Sequence, residues 1–289
     1  MTRREQVPYC SGRNFPSYEI PFNACDCHHH IYDPVRFPYI SCDTRNQPPA
    51  DVNAYILLKN KLQLTRNVIV QPSAYGLDNA CTLDALDKMG KENTRAIVVL
   101  NNSVTDEELE KMNSLGVKGI RLNMTCGYKG EWGDIQSLVA RIAELGWVVC
   151  LWVDPSLLVE KREFFEGMNV PLVLDHRGNI PAQVGTNHPA FKVIAEWMCQ
   201  GKAWVKLSGY YFGSTRVDFC DVVDFGKEFV KINEKRVLWG TDWPHPRCYT
   251  NLMPMPDDAK MLDQLMEQAG DSKIFKTILS DNPTELFKF

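Results

Sequence analysis

The stretch NACDCHHHIYDP, residues 23–34, sets three of the chain's six histidines side by side, with two cysteines and two aspartates around them. Imidazole, thiolate and carboxylate are the groups that hold divalent metals, and imidazole and carboxylate also move protons. Side chains two apart on a strand share a face. Asp26, His28 and His30 are therefore expected on one face, and Cys25, Cys27 and His29 on the other. This division predicts that no single ion gathers the whole cluster, and that His29 matters least of the three histidines. Two later segments carry the same residue types: DHRG, with Asp175, His176 and Arg177, and GTDWPHP, with Asp242 and His245. His28, His30 and His176 with the Asp242 carboxylate form a suitable ligand set for one divalent ion such as Zn²⁺. The same four groups can do acid–base work without metal. A lone histidine at a strand end reads as a polar cap on the core, but three such motifs, each closing its own strand, argue against that reading.

The elements that must position these residues are legible as a recurring pattern. Short apolar, β-branched runs are expected as strands at Asn23–Ile31, Asn67–Gln71, Arg95–Leu100, Val117–Leu122, Trp147–Val153, Pro171–Asp175, Ala203–Leu207 and Arg236–Gly240. Between them lie segments of helical period, such as VNAYILLKNKL, CTLDALDKMGK, TDEELEKMNSLG, IQSLVARIAELG, HPAFKVIAEWMCQ and DDAKMLDQLMEQA. Thr105 and Glu108 form a capping-box pair, and Gly116 and Gly146 close two helices. Parallel neighbours need crossover connections, so eight strands alternating with helices predict a parallel sheet. The fold class is α/β, a closed (β/α)₈ TIM barrel. An open doubly wound sheet would show a glycine-rich phosphate turn after its first strand, and here that strand ends in histidines. Residues 1–22 are expected to form an N-terminal arm, and 23–289 a single barrel domain. Asp33–Pro49 is expected to loop over the site.

Bulk properties exclude several function classes. The chain has 289 residues and a formal net charge of −4, which argues against nucleic acid or an anionic membrane as partner. No run approaches the ~18 apolar residues of a membrane span. The basic N-terminus lacks the apolar core of a secretory signal. The ten cysteines are scattered, most within apolar runs, which fits reduced core thiols and a cytoplasmic location. A small molecule is the expected partner.

In such a barrel, chemistry sits where strands run into the loops that follow them. Polar residues gather there: Gln71, Ser73 and Tyr75 after strand two, Arg121 and Asn123 after strand four, Trp152 after strand five, Lys206 and Ser208 at strand seven. At this point the sequence resembles a known family. D-x-H-x-H-I-Y-D on strand one, VLDHRG on strand six and RVLWGTDWPHP on strand eight resemble the amidohydrolase superfamily, in the branch of the pyrone-dicarboxylate and sugar-acid lactonases. RNVIVQPSAYGLDN, GVKGIRLN, the Pro256–Asp258 region and the closing DNPTELFKF extend the likeness from about residue 24 to the end.

The resemblance implies hydrolysis of a small, anionic lactone. Asp242 would be the general base, His28, His30 and His176 would surround the carbonyl, and Arg121 would bind a substrate carboxylate. Ser73, Tyr75, Asn123, Trp152 and Gln71 complete the expected substrate-binding set. Several departures bear on the substrate. Where the pyrone-dicarboxylate enzymes carry a second arginine, this chain has Gly127, with Lys129 beyond it; the loop after strand seven reads SGYYFGSTR; Tyr75 replaces a histidine, and Trp152 a tyrosine. The expected substrate therefore carries one carboxylate, unless Arg177, Lys206, Arg216 or Arg247 supplies another cation. The resemblance favours metal-free chemistry, with a single Zn²⁺ on His28, His30, His176 and Asp242 as the second reading. A binuclear site is not expected, because strand four ends in Arg121 rather than a bridging lysine. A Zn-dependent decarboxylase or hydratase, and a lactone isomerase, are the competing activities. Related isomerases carry asparagine where this chain keeps Asp242, which favours hydrolysis. His188 is expected to cap a helix, and His245 to pack or line the pocket.

Overall fold

All eight apolar runs form strands in the computed structural model, which describes residues 6–40, 47–124 and 132–289. The strands are β1 (Cys25–His29), β2 (Arg66–Val70), β3 (Thr94–Val98), β4 (Val117–Asn123), β5 (Val148–Trp152), β6 (Leu172–Leu174), β7 (Ala203–Leu207) and β8 (Val237–Trp239). They pair in parallel, in chain order, in one eight-stranded sheet. Just past β8 the chain bonds back to β1: Asp242 N donates to His28 O at 2.7 Å and His30 N to Trp243 O at 2.8 Å. The sheet thus comes round to a nearly closed barrel, and its last contact lies within the predicted site.

Helices occupy the crossovers, among them α1 (Val52–Lys61), α2 (Ala80–Met89), α3 (Asp106–Leu115) and α4 (Trp132–Glu144). In α4 the buried residues are Ile135, Leu138, Val139 and Ile142, the i, i+3, i+4, i+7 stripe of a helix with one apolar face. Burying each such side chain is worth roughly 1.5–3 kcal/mol. Thr105 and Glu108 cap α3 reciprocally, and Gly116 at φ 111° turns the chain into β4. Further on lie α5 (Pro155–Glu160), α6 (Arg162–Glu166), α7 (Pro189–Cys199), α8 (Cys220–Asn233), α9 (Pro246–Thr250), α10 (Asp258–Ala269), α11 (Ser272–Lys276) and α12 (Asn282–Phe287). His188 caps α7, its ring accepting from Ala190 N. Within residues 6–22 Ser17 bonds Asp263 of α10 through both its amide and its hydroxyl, and Pro8 O accepts from the Trp243 indole.

The strand-parity expectation needs correction. Cys25 and Cys27 do not share a face with His29. They pack with Val68, Val70, Ile97, Val148, Cys150, Val173 and Leu238, one set of alternating strand residues that fills the lumen above Phe287 of α12. Asp26 points the other way, where Tyr55 of α1 and Thr241 donate to it. The reason is a register irregularity between Asp26 and His29 in the pairing of β1 with β2. A bulge adds a residue and resets the alternation. Past it His28 and His30 face the barrel mouth, and His29 faces α1, stacked on Tyr55 at 3.5 Å and bonded to Asn67. Asp26 caps the irregularity by accepting from the amides of His28 (3.1 Å) and Thr241 (3.0 Å). Burial raises its carboxyl to about 6, against the lowering effect of these donors.

Candidate active site

Three strand ends meet at one carboxylate oxygen. Asp242 Oδ1 lies 3.3 Å from His28 Nε2, 3.3 Å from His30 Nε2 and 3.9 Å from His176 Nε2. The other oxygen of Asp242 accepts from the Tyr211 hydroxyl. Asp242, at φ 62°, and His176, at φ 50°, both hold left-handed backbone, which costs energy and clusters at functional sites. His30 Nδ1 bonds the Val70 carbonyl at 2.7 Å. A carbonyl only accepts, so Nδ1 carries a proton, and the neutral tautomer of this ring is the one with its lone pair on Nε2. His176 Nδ1 lies 3.0 Å from Ser208 Oγ, and its ring stacks on Phe212 at 4.5 Å.

Beneath this group lies a buried charge network. Asp175 takes Arg121 Nε on one oxygen at 3.1 Å and Lys206 Nζ on the other at 3.1 Å, and His28 Nδ1 is 3.3 Å away. Burial alone would raise the Asp175 carboxyl, but Lys206, His28 and Arg121 outweigh it and hold it well below the usual carboxylate range. Asp242 is pulled down in the same way: burial opposes, and His176, His30 and His28 win. Burial lowers His28 well below the ordinary imidazole value and His176 to about 4. At neutral pH the centre thus holds two carboxylates, with His28 and His176 neutral. Tyr211, raised by burial and by Asp242, stays a hydroxyl donor.

The Nε2–Oδ1 separations of 3.3 Å match the ~3.3 Å edge of a tetrahedron of ligands at 2.0–2.1 Å from one ion. His28 Nε2 is a buried nitrogen with no hydrogen-bond partner. By spacing and donor type, His28, His30 and Asp242, with His176 beside them, fit a single divalent ion. A second grouping, His28, Asp175 and His176, shares its carboxylate with Lys206 and Arg121, which already neutralise it.

Above the centre opens a cavity of about 280 Å³, lined by His30, His176, Asp242, Arg121, Trp152 and Ser73, among others. The amidohydrolase family model matches residues 25–289. The chain belongs to the amidohydrolase family. It is 30% identical to a 4-sulfomuconolactone hydrolase from Rhizobium radiobacter, over 97% of this chain and 96% of that protein. It is 29% identical to a 2-pyrone-4,6-dicarboxylate hydrolase from Comamonas testosteroni, over 99% and 98%. A crystal structure of a probable 2-pyrone-4,6-dicarboxylic acid hydrolase from Acinetobacter baumannii with citric acid bound superposes with a TM-score of 0.79 at 26% identity, covering 93% of this chain and 100% of that one.

In this amidohydrolase the expected substrate-binding residues divide. Arg121, Ser73 and Trp152 line the cavity. Arg121 is both a salt-bridge partner of Asp175 and a cavity wall, its guanidinium 4.8 Å from the Trp152 ring. Asn123 stands one step back, donating to Ser73 Oγ at 3.0 Å. Gln71 and Tyr75 do not line the cavity. Gln71 is fully buried and ties down the loop after β2 by bonding Asp78 O and accepting from Thr82. Tyr75 is also buried, and its hydroxyl accepts from Asp33 N. The candidate cations divide as well. Arg177 is buried on the carbonyls of Ser208, Gly209 and Phe212, and Lys206 is sealed beneath His28. Arg216 is exposed and paired with Asp218, away from the cavity. Arg247 lines the cavity, 5.1 Å from the Phe212 ring. Gly127 and Lys129 lie outside the described residues. Of the loop expected over the site, Gln47 lines the cavity, whereas residues 41–46 lie outside those described. His245 packs rather than lines: it is fully buried, with Nε2 3.2 Å from Asp258. Sequence reasoning gave no role to Tyr211 or Phe212, because nothing in SGYYFGSTR says which aromatic turns inward. The turn at Gly209, φ 53°, decides it.

Proposed function

We propose that this amidohydrolase is a lactonase that opens a small anionic lactone by attack of water, with Asp242 as the base. The observation that carries the reading is the convergence of three imidazole Nε2 atoms on Asp242 Oδ1, at the floor of a cavity walled by Arg121. The lactone hydrolases among its relatives support the same reaction class. Arg121 pairs with the substrate's acid group through a charge-assisted hydrogen bond. Trp152 and Phe212 flank the ring, and the carbonyl lies against the imidazoles. Water beside Asp242 Oδ1 attacks the carbonyl carbon. As the new C–O bond forms, the water becomes acidic enough for a carboxylate held this low to take its proton. The oxyanion collapses, the acyl C–O ring bond breaks, and Asp242 returns the proton to the leaving oxygen. A positioned base contributes typically 10²–10⁴-fold and each donor at the oxyanion roughly 10²–10³-fold. Arg247 gives the cavity a second cation, which a second acid group on the substrate would reach.

Metal-free hydrolysis is the form we favour, because a lactone is an activated ester and needs less carbonyl polarisation than an amide. A single-ion enzyme is the second reading, favoured by the 3.3 Å ligand separations. His28, His30, Asp242 and His176 would hold the ion, which would supply Lewis-acid polarisation of the carbonyl. The test is proton release from a panel of sugar-acid and muconate-type lactones, before and after chelator treatment. Chelator-resistant opening of at least one anionic lactone is expected. Activity lost with the metal and restored with Zn²⁺ selects the second reading, and no hydrolysis across the panel rejects the lactonase.

A further inference from the structure

Lys206 has no counterpart in the chemistry above, yet it sits directly behind a reacting imidazole. Its ammonium is fully buried, 3.2 Å from His28 Nδ1, 3.1 Å from Asp175 Oδ1 and 3.7 Å from Cys150 Sγ. A lysine ammonium only donates; here His28 Nδ1 and Cys150 Sγ stand in hydrogen-bond geometry, and Asp175 Oδ1 is an ion-pair partner. Asp175, 3.1 Å away, gives the buried ammonium a carboxylate counter-charge.

We infer that Lys206 fixes the tautomer of His28, by donating to Nδ1 and so placing the ring proton on Nε2, the nitrogen that faces Asp242 Oδ1 at 3.3 Å. His30 has the opposite arrangement, because its Nδ1 must donate to Val70 O. The two histidines of the H-x-H motif are therefore not equivalent. His28 presents an N–H at Nε2, and His30 a lone pair. Which atom sits behind each ring decides it: an ammonium behind one, a carbonyl behind the other. His28 Nδ1 also lies 3.3 Å from Asp175 Oδ1, but that oxygen accepts no hydrogen bond, whereas Lys206 Nζ stands in hydrogen-bond geometry to Nδ1, and a proton on Nδ1 would face the ammonium.

This assignment deepens the proposed function and rests on it for the role of Nε2–H, which is the hydrogen-bond donor to the lactone carbonyl as negative charge grows there. His30, with its lone pair, holds a proton of the attacking water beside Asp242. The assignment also bears on metal. A ligating histidine characteristically donates its far N–H to a carboxylate or carbonyl. His30 has that partner, whereas Lys206 denies it to His28. The wild-type chain should therefore bind zinc weakly, even though the ligand spacing fits.

The experiment is ¹⁵N imidazole spectroscopy of the full-length, chelator-treated, substrate-free protein at neutral pH, with His28 and His30 assigned by His28→Gln and His30→Gln. The expected spectrum puts His28 Nδ1 at a pyridine-like shift and Nε2 at a pyrrole-like shift, with His30 reversed. A proton on His28 Nδ1 of the wild type overturns the inference whatever Lys206→Met shows. In Lys206→Met, Asp175 keeps Arg121, and His28 should flip to donate Nδ1–H to Asp175. With the flip, kcat should fall roughly 10²–10³-fold at little change in KM. Zinc affinity, titrated directly, should rise on the order of 10–100-fold. A folded Lys206→Met that keeps the Nε2–H tautomer rules out Lys206 as the cause. The spectrum needs no substrate, so failure of every lactone to react would end the lactonase reading and leave the tautomer measurement to stand or fall alone.

Discussion

Replacing Arg121 with methionine separates its two jobs. Its Nε bonds Asp175 at 3.1 Å, and the guanidinium also walls the cavity. The first job has a reserve, because Lys206 remains 3.1 Å from the other Asp175 oxygen, so the carboxylate is not left as an unpaired buried charge. The barrel should therefore fold. The second job has none of comparable position: Lys206 is sealed below, Arg177 is spent on backbone carbonyls, and Arg247 approaches from the far wall beside Phe212. A hydrogen bond to a charged partner contributes about 1.5–3 kcal/mol, which is roughly 10- to 150-fold in kcat/KM. The assay compares an anionic lactone with its neutral methyl ester. Arg121→Met should lose that factor on the anion, mostly through KM, and little on the ester. An equal loss on both would mean that Arg121 acts only through Asp175, and would refute its role in reading the carboxylate.

Arg247→Met should lower kcat/KM for a lactone bearing two acid groups and leave a mono-acid lactone unchanged, measured on a matched pair of substrates. His176 is held near 4 by burial, below its ordinary 6.5, so the unfolded chain binds more protons between those values; its contribution to stability is present above about 6.5 and is lost as pH falls through 4. That contribution is on the order of 3 kcal/mol, so His176→Asn should flatten the rise of urea-unfolding stability between pH 4 and 6.5. An unchanged slope would mean that the imidazole is not buried neutral. Gly119 lines the lumen where an added Cβ would meet Val148 O at 2.5 Å and Ile97 at 3.0 Å, so Gly119→Ala should destabilise the barrel by roughly 1–3 kcal/mol in thermal unfolding.

The strand ends were legible because each carries a run of β-branched residues closed by a polar motif, and a parallel barrel puts all such ends on one rim. His28, His30, His176 and Asp242 thus met as read. What could not be read was what the backbone does locally. Alternation at Cys25–His30 gives the wrong face for Asp26 and both thiols, since a bulge leaves no mark on the residue pattern. Lys206 reads as a candidate cation for the substrate at the end of strand seven, and only the closure of the barrel puts it under His28. Gln71 and Tyr75 sit at the right strand end, but the short helical turn after β2 folds them inward to hold the loop.

The central claim is that Asp242 activates water to open an anionic lactone. The most direct measurement is the turnover of Asp242→Asn on whichever lactone the wild type opens, with binding followed separately by calorimetry. The account predicts a loss of kcat of at least 10²–10⁴-fold with the ligand still bound. Undiminished turnover in that variant would contradict it.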